Sequence, residues 1–168
     1  MKKLLLTFAF ICIICKVSAQ NIINQASPAL DKFVGTWIYN KNGKEVKILL
    51  KKIQVNVPKY NTTTTMIEGY HIYKENNKNI DNSVERNKPS FSSGYIEERD
   101  KPNKLKIRAF DILKNKSFDA IMIYIPGDTD KIQCTLRNSE GVRLNTPGEP
   151  AFDKRFTLPE SMVLYKAK

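Results

Sequence analysis

Few side chains in this 168-residue chain are equipped for catalysis. His71 is the only histidine, so no imidazole cluster can hold a metal, and any Ser-His-Asp relay has to run through this one ring. It alternates with Ile67, Gly69 and Tyr73, the spacing of one face of a strand, and reads as a structural residue. Cys12 and Cys15 fall in an N-terminal apolar run. That leaves Cys134, which alternates with Ile132 and Leu136 and reads as a small buried hydrophobe rather than a nucleophile. Glu97 and Glu98 are adjacent and point to opposite faces of a strand, so with Asp100 they read as a solvated strand end rather than a paired-carboxylate site. No phosphate-binding glycine loop is present, and Asp128-Thr129-Asp130 is too short for a calcium array. The expectation is a non-enzyme with no cofactor.

Export comes before folding. Lys2 and Lys3 give a basic start, Leu4 to Ile14 an apolar core, and Val17-Ser18-Ala19 the small residues that signal peptidase requires, so residues 1–19 read as a signal peptide. The apolar run is shorter than the roughly 20 residues of a membrane-spanning helix, and no transmembrane segment is expected. Ile11 and Ile14, directly before the two cysteines, speak against a lipid anchor. The expected destination is the periplasm or the extracellular space, with a tether over 20–27 and one domain over 28–168. Cleavage takes the basic side chains from 28 to 25 against 17 acidic ones, a net charge of about +8. A single thiol offers no intramolecular disulfide, so a hydrophobic core has to hold the domain together.

The lysines are dispersed: Lys41, Lys44, Lys47, Lys51 and Lys52 in one stretch, then Lys101, Lys104, Lys106 and Arg108. On alternating strands they form a wet outer face that keeps the protein soluble. An anionic envelope polysaccharide or lipid phosphate is the partner such charge would attract. Nucleic acid is not expected, since no binding motif accompanies the charge.

Ser27-Pro28-Ala29-Leu30-Asp31-Lys32-Phe33 predicts one or two helical turns, capped by serine with proline in the first position, able to plug a barrel end. Strands are predicted over Thr36–Asn40 and Lys44–Val57, joined by the hairpin pair Asn42-Gly43. Others follow over Thr62–Lys74, Phe91–Glu98, Lys104–Leu113, Ser117–Ile125 and Lys131–Asn138, and the chain closes with Phe156-Thr157-Leu158 and Met162–Tyr165. Residues 80–89 read as a loop with room for one short strand. The apolar phase moves from Val46, Ile48 and Leu50 to Ile53, Val55 and Val57, which predicts a β-bulge at Lys51-Lys52. Short strands at near-regular spacing, with no amphipathic helix between them, predict an antiparallel sandwich or barrel.

Phe33-Val34-Gly35-Thr36-Trp37, leading into a long strand, resembles the opening of lipocalin-like (calycin) β-barrels. The resemblance implies an all-β, antiparallel up-and-down β-barrel of about eight strands, with a short N-terminal helical turn and no C-terminal helix. It also implies that Trp37 sits inside the closed end beneath a basic side chain, for which Arg137 or Arg155 is the expected donor. Asn42-Gly43 leaves no room for the helical lid of fatty-acid-binding proteins. Gly35-Thr36-Trp37, Ile67 to Lys74 and Phe156 to Leu164 further resemble a group of small exported bacterial proteins that carries no established activity.

An eight-stranded barrel can hold one small apolar ligand. Three stripes are expected to line it: Trp37 with Tyr39; Met66 and Tyr70 with Ile72; and Phe118, Met122 and Tyr124. The leading expectation is thus a secreted lipocalin-like binding protein with a small apolar molecule in its barrel. The alternative is a structural or protein-interaction module of the cell envelope, inhibitor-type roles included, with a solid barrel that makes contact through its outer strands or the Asn138 to Lys154 loop. The sequence leaves the oligomeric state open. Protein isolated from cells that export it is expected to begin at Gln20; an intact mass showing an acylated N-terminal cysteine would refute that cleavage site.

Overall fold

The computed structural model describes residues 27–96, 101–139 and 153–168. The stretch read as a signal peptide (1–19), most of the expected tether, the side chain of Ser27, Glu97, Glu98 and Asp100, and most of the Asn138 to Lys154 loop lie outside the described residues.

One α-helix, α1 (Ser27–Asp31), precedes nine strands: β1 (Gly35–Lys41), β2 (Lys44–Val57), β3 (Thr62–Glu75), β4 (Lys78–Asn82), β5 (Phe91–Tyr95), β6 (Lys104–Asp111), β7 (Lys116–Tyr124), β8 (Lys131–Asn138) and β9 (Ser161–Lys166). Every pairing is antiparallel. Around the cylinder the order is β1-β2-β3-β5-β6-β7-β8-β9, and β9 returns to β1. The barrel is therefore closed with eight staves. β4 is a short ninth strand that shares one edge of β3 with β5, pairing Ile72–Glu75 while β5 pairs Ile67–Gly69. It fills part of the segment read from sequence as a loop. Phe156-Thr157-Leu158, expected as a strand, is irregular.

Asn42 and Gly43 both have positive φ (53° and 72°), the geometry of a tight two-residue hairpin whose twist matches its strands. Asn76 and Asn77 repeat it between β3 and β4, with φ of 50° and 64°.

The expected bulge at Lys51-Lys52 is absent. β2 pairs β3 without a register break from Lys44↔Glu75 to Val57↔Thr62. The apolar phase shifts for another reason: β1 leaves β2 at Leu50, and beyond that point β2 has only β3 beside it. Lys52 thus stays on the inward-facing side of its strand but meets the helix instead of the core, pairing with Asp31 of α1.

Inward residues alternate along each strand and fill the cylinder. Trp37, Ile48, Ile67, Phe91, Leu105, Ile107, Met122, Ile132, Cys134 and Leu164 are all 0% exposed. Burying each large apolar side chain stabilises the fold by about 1.5–3 kcal/mol. Both ends are stopped. Leu30 and Phe33, buried at the α1 end, pack on Trp37 and Tyr124, with Phe33 and Tyr124 ring centroids 5.1 Å apart. At the other end Phe156 stacks on Phe118 at 5.0 Å, beside buried Leu158.

Gly69 faces inward on β3, and a Cβ there would lie 2.6 Å from the Leu49 carbonyl oxygen, a backbone atom that cannot yield. Gly69→Ala is expected to destabilise the barrel by about 1–3 kcal/mol, the usual cost of overpacking. Urea unfolding at unchanged m-value is the check.

Candidate functional site

The sequence-selected aromatics divide between the two faces of the wall. Trp37, Phe118 and Met122 point into the core and are buried at 0–2% exposure. Tyr39 and Tyr124 are half-buried against that core at opposite ends. Met66 and Tyr70 do not join them. Ile67, Gly69, His71 and Tyr73 are the buried residues of β3, so Met66, Tyr70 and Ile72 face outward, and the Lys51 ammonium lies 5.2 Å above the Tyr70 ring. Both faces of β3 carry large apolar side chains, and the inward one also carries a histidine, so periodicity pointed to the wrong side.

Trp37 is the hub of the α1 end. Its indole N–H donates to the Phe33 carbonyl at 2.8 Å. The covering cation is Lys166 of β9, 5.4 Å above the ring, and not Arg137 or Arg155. Arg137 is exposed on the outer wall, and Arg155 is held by Asp153. The last strand runs antiparallel beside Trp37, which brings Lys166 directly opposite it.

The sequence reading missed what surrounds His71. The ring is 2% exposed and lies between two partners: Nδ1 is 2.7 Å from Ser90 Oγ and Nε2 is 3.1 Å from Asp81 Oδ2. Asp81 is itself buried, and Arg86 Nη1 reaches its other oxygen at 2.6 Å. Ser83 Oγ accepts from the His71 backbone N–H at 2.7 Å and donates to its carbonyl at 3.1 Å. A carboxylate only accepts, so the neutral ring carries its proton on Nε2 and accepts at Nδ1 from the Ser90 hydroxyl, whose oxygen also lies 3.3 Å from Ser83 Oγ. The Nε2 and Asp81 Oδ1 contacts are ionic approaches rather than aligned hydrogen bonds.

This is a Ser-His-Asp relay by composition. As a nucleophile it is shut in, because Ser90 is 3% exposed and its hydroxyl faces the imidazole within the wall. The arrangement ties neighbouring segments together. It pins β4 and the 83–90 connection to β3, and Ser90 continues the bridge through backbone bonds to Gly69 and Phe110. Asp81, Ser83 and Arg86 left no distinctive signal in a polar stretch.

At the opposite mouth from α1, Asp111 accepts from the backbone N–H of Lys114 and from both the N–H and the hydroxyl of Thr157. Lys116 donates to the carbonyls of Asp153 and Arg155 and lies 4.6 Å over the Phe156 ring. These bonds hold residues 153–157 over the core. Among the described residues, no three His, Cys, Asp or Glu side chains converge as metal ligands, and no helix is long and apolar enough to cross a membrane. Burial pushes the Cys134 thiol up to about 12, which keeps it from acting as a thiolate.

Among the described residues, two of the recesses that open to solvent border sequence-selected aromatics. The larger, about 680 Å³, lies at the α1 end between Lys32, Asn103, Tyr124, Lys166 and the β7–β8 connection. The smaller, about 370 Å³, lies where Tyr39–Lys41 diverge from β9, with Gln133, Ser161, Val163 and Tyr165 on its far side. A family model described as "Family of unknown function (DUF6705)" matches residues 1–167. No curated protein and no solved structure matches the chain.

Burial lowers the His71 pKa below its ordinary value, against the opposing pull of Asp81. The folded ring is therefore neutral where the unfolded one, at about 6.5, takes up a proton. Stability should be flat above pH 6.5 and fall as the pH drops through and below it, with a weaker slope in His71→Gln. Stability that rises between pH 6.5 and 5.5 would show instead that the fold holds an imidazolium against Asp81.

Proposed function

We propose that this chain, which belongs to the family of unknown function DUF6705, is an exported, non-catalytic binding module that works from the surface of a filled barrel. One observation carries the reading. The buried side chains of the cylinder, Trp37, Phe118 and Met122 among them, are 0–5% exposed, so a water-sized probe scarcely touches them. A guest cavity large enough for a small molecule would leave its lining accessible. Eight strands enclose room either for their own side chains or for one small ligand, and here buried side chains occupy the interior and both ends are stopped, by α1 and by Phe156 with Leu158.

A filled barrel is a rigid platform. Its outer wall carries exposed Tyr95, Ile123 and Tyr165 among dispersed cations, the mix of aromatic and basic groups that interaction surfaces use. With the excess of basic side chains, an anionic component of the cell envelope is the expected partner, reached after export to the periplasm or the extracellular space.

The test is native mass spectrometry of the protein purified from its own host, with organic extraction of the same sample. The expected result is a barrel free of any retained apolar molecule. A stoichiometric apolar compound that survives purification, and is lost when Met122→Trp crowds the interior, would restore the enclosed-ligand reading.

A further inference from the structure

The recess at the α1 end brings together two cations that are held over aromatic rings and by uncharged oxygens. The Lys32 ammonium lies 5.7 Å and 5.4 Å above the Phe33 and Tyr124 rings and donates to Asn103 Oδ1 at 2.5 Å. The Lys166 ammonium lies over Trp37 and donates to the Lys32 carbonyl at 3.1 Å. Among the described residues neither has a carboxylate within 4.0 Å, unlike Lys44, Lys51, Lys52, Lys106, Lys114 and Lys131, which all have one. Each ammonium has three donors and spends one on an uncharged oxygen, so two on each remain for a ligand.

Both cations are fixed in place before any ligand arrives. Trp37 and Tyr124 are neighbours, with centroids 5.9 Å apart, so the two ammonium groups stand over one aromatic cluster. The Tyr124 hydroxyl donates to the Lys32 carbonyl at 2.6 Å, which anchors the segment that carries Lys32. Positioning of this kind is normally a cost of binding, and here folding has already met it. The apolar part of the wall is formed by Tyr124, Ile125 and Pro126, with Asn103 and Thr129 as its neutral polar members. At about 680 Å³ the recess falls within the usual range of about 300–1,000 Å³ for small-molecule sites. Of the two acids that line the recess, Asp128 is taken by Lys131 at 2.7 Å, and Asp130 is exposed to solvent and opposes an anion there, multiply charged ones most.

We propose that this recess binds a small monoanionic amphiphile, with a carboxylate or phosphate-ester head between Lys32 and Lys166 and an apolar stem along Tyr124, Ile125 and Pro126. Burial already depresses the Lys32 ammonium below its ordinary value, and an anion beside it would reverse that. The inference rests on the surface-binding reading and names its site and ligand class.

Octanoate and octanol titrated calorimetrically into the mature protein provide the test. Octanoate is expected to bind one-to-one, with octanol at least tenfold weaker. Lys32→Met and Lys166→Met should each weaken octanoate about tenfold or more, as loss of a charged hydrogen-bond donor does. Lys166→Arg should retain most of the affinity. Trp37 emission and thermal melting report whether each variant still folds, and Lys32→Met leaves the cover on the indole in place. Co-sedimentation with phosphatidylglycerol vesicles that is lost in Lys32→Met also supports the site, and it assigns the head group to a bilayer lipid. Equal binding of octanol and octanoate, no binding of either octanoate or vesicles, or affinity indifferent to both methionine variants would overturn the site. An apolar molecule that is retained on native mass spectrometry, survives in Lys32→Met and is lost in Met122→Trp overturns the filled barrel instead.

Discussion

The structure depends most on the seam where the last strand meets the first. β1 and β9 are joined by only two register pairs, Trp37↔Lys166 and Ile38↔Tyr165, together with the Ala167 N–H to Thr36 carbonyl bond. A closed barrel has no free edges, and a sheet that failed to close here would expose two of them along with the core. The seam is short, so the side chains around it carry much of its stability. Trp37 sits on it with its ring in the core, its N–H on the Phe33 carbonyl and its face under Lys166. One residue thus joins the first strand, the last strand and the plug.

The two ends of the cylinder are stopped by different physics. At the α1 end aromatic rings pack under lysine ammonium groups, and a two-stranded extension of β2 and β3 reaches past the barrel to pair Lys52 with Asp31. At the other end a carboxylate, Asp111, and an ammonium, Lys116, bind the backbone of residues 153–157 and lay Phe156 on Phe118. Between them the His71–Asp81–Arg86 chain with Ser83 and Ser90 clamps an irregular connection to the wall. Buried polar groups of this kind are costly unless partnered. Here the partners come from a segment that would otherwise have little to hold it.

Local patterns made much of the fold legible in advance. Asn42-Gly43 forms the hairpin its φ preferences favour, the alternation along Lys104–Leu113 and Ser117–Ile125 matches β6 and β7, and the Pro28–Asp31 turn became the plug. The failures share a cause. At Lys51-Lys52 the polar phase shift looked like a bulge, yet it marks the point where a strand outruns its neighbour. On β3 the inward face was hidden by His71, whose polarity is offset by Asp81 and Ser90 from a stretch that carries no pattern of its own. The cation over Trp37 came from β9 because strand order around a barrel, and not distance along the chain, decides which side chain arrives.

By itself, then, the sequence determined the class of structure: alternation, turn residues and a lone tryptophan specify antiparallel strands with one wet and one dry face, because those preferences act within a few residues. Only tertiary structure decided that the cylinder closes, that its core side chains are buried to 0–5% exposure, and that Lys32 and Lys166 stand over one aromatic cluster, without a carboxylate partner among the described residues. Those outcomes join residues up to 134 positions apart, as in the bond from Lys166 to the Lys32 carbonyl, and no local preference reaches that far.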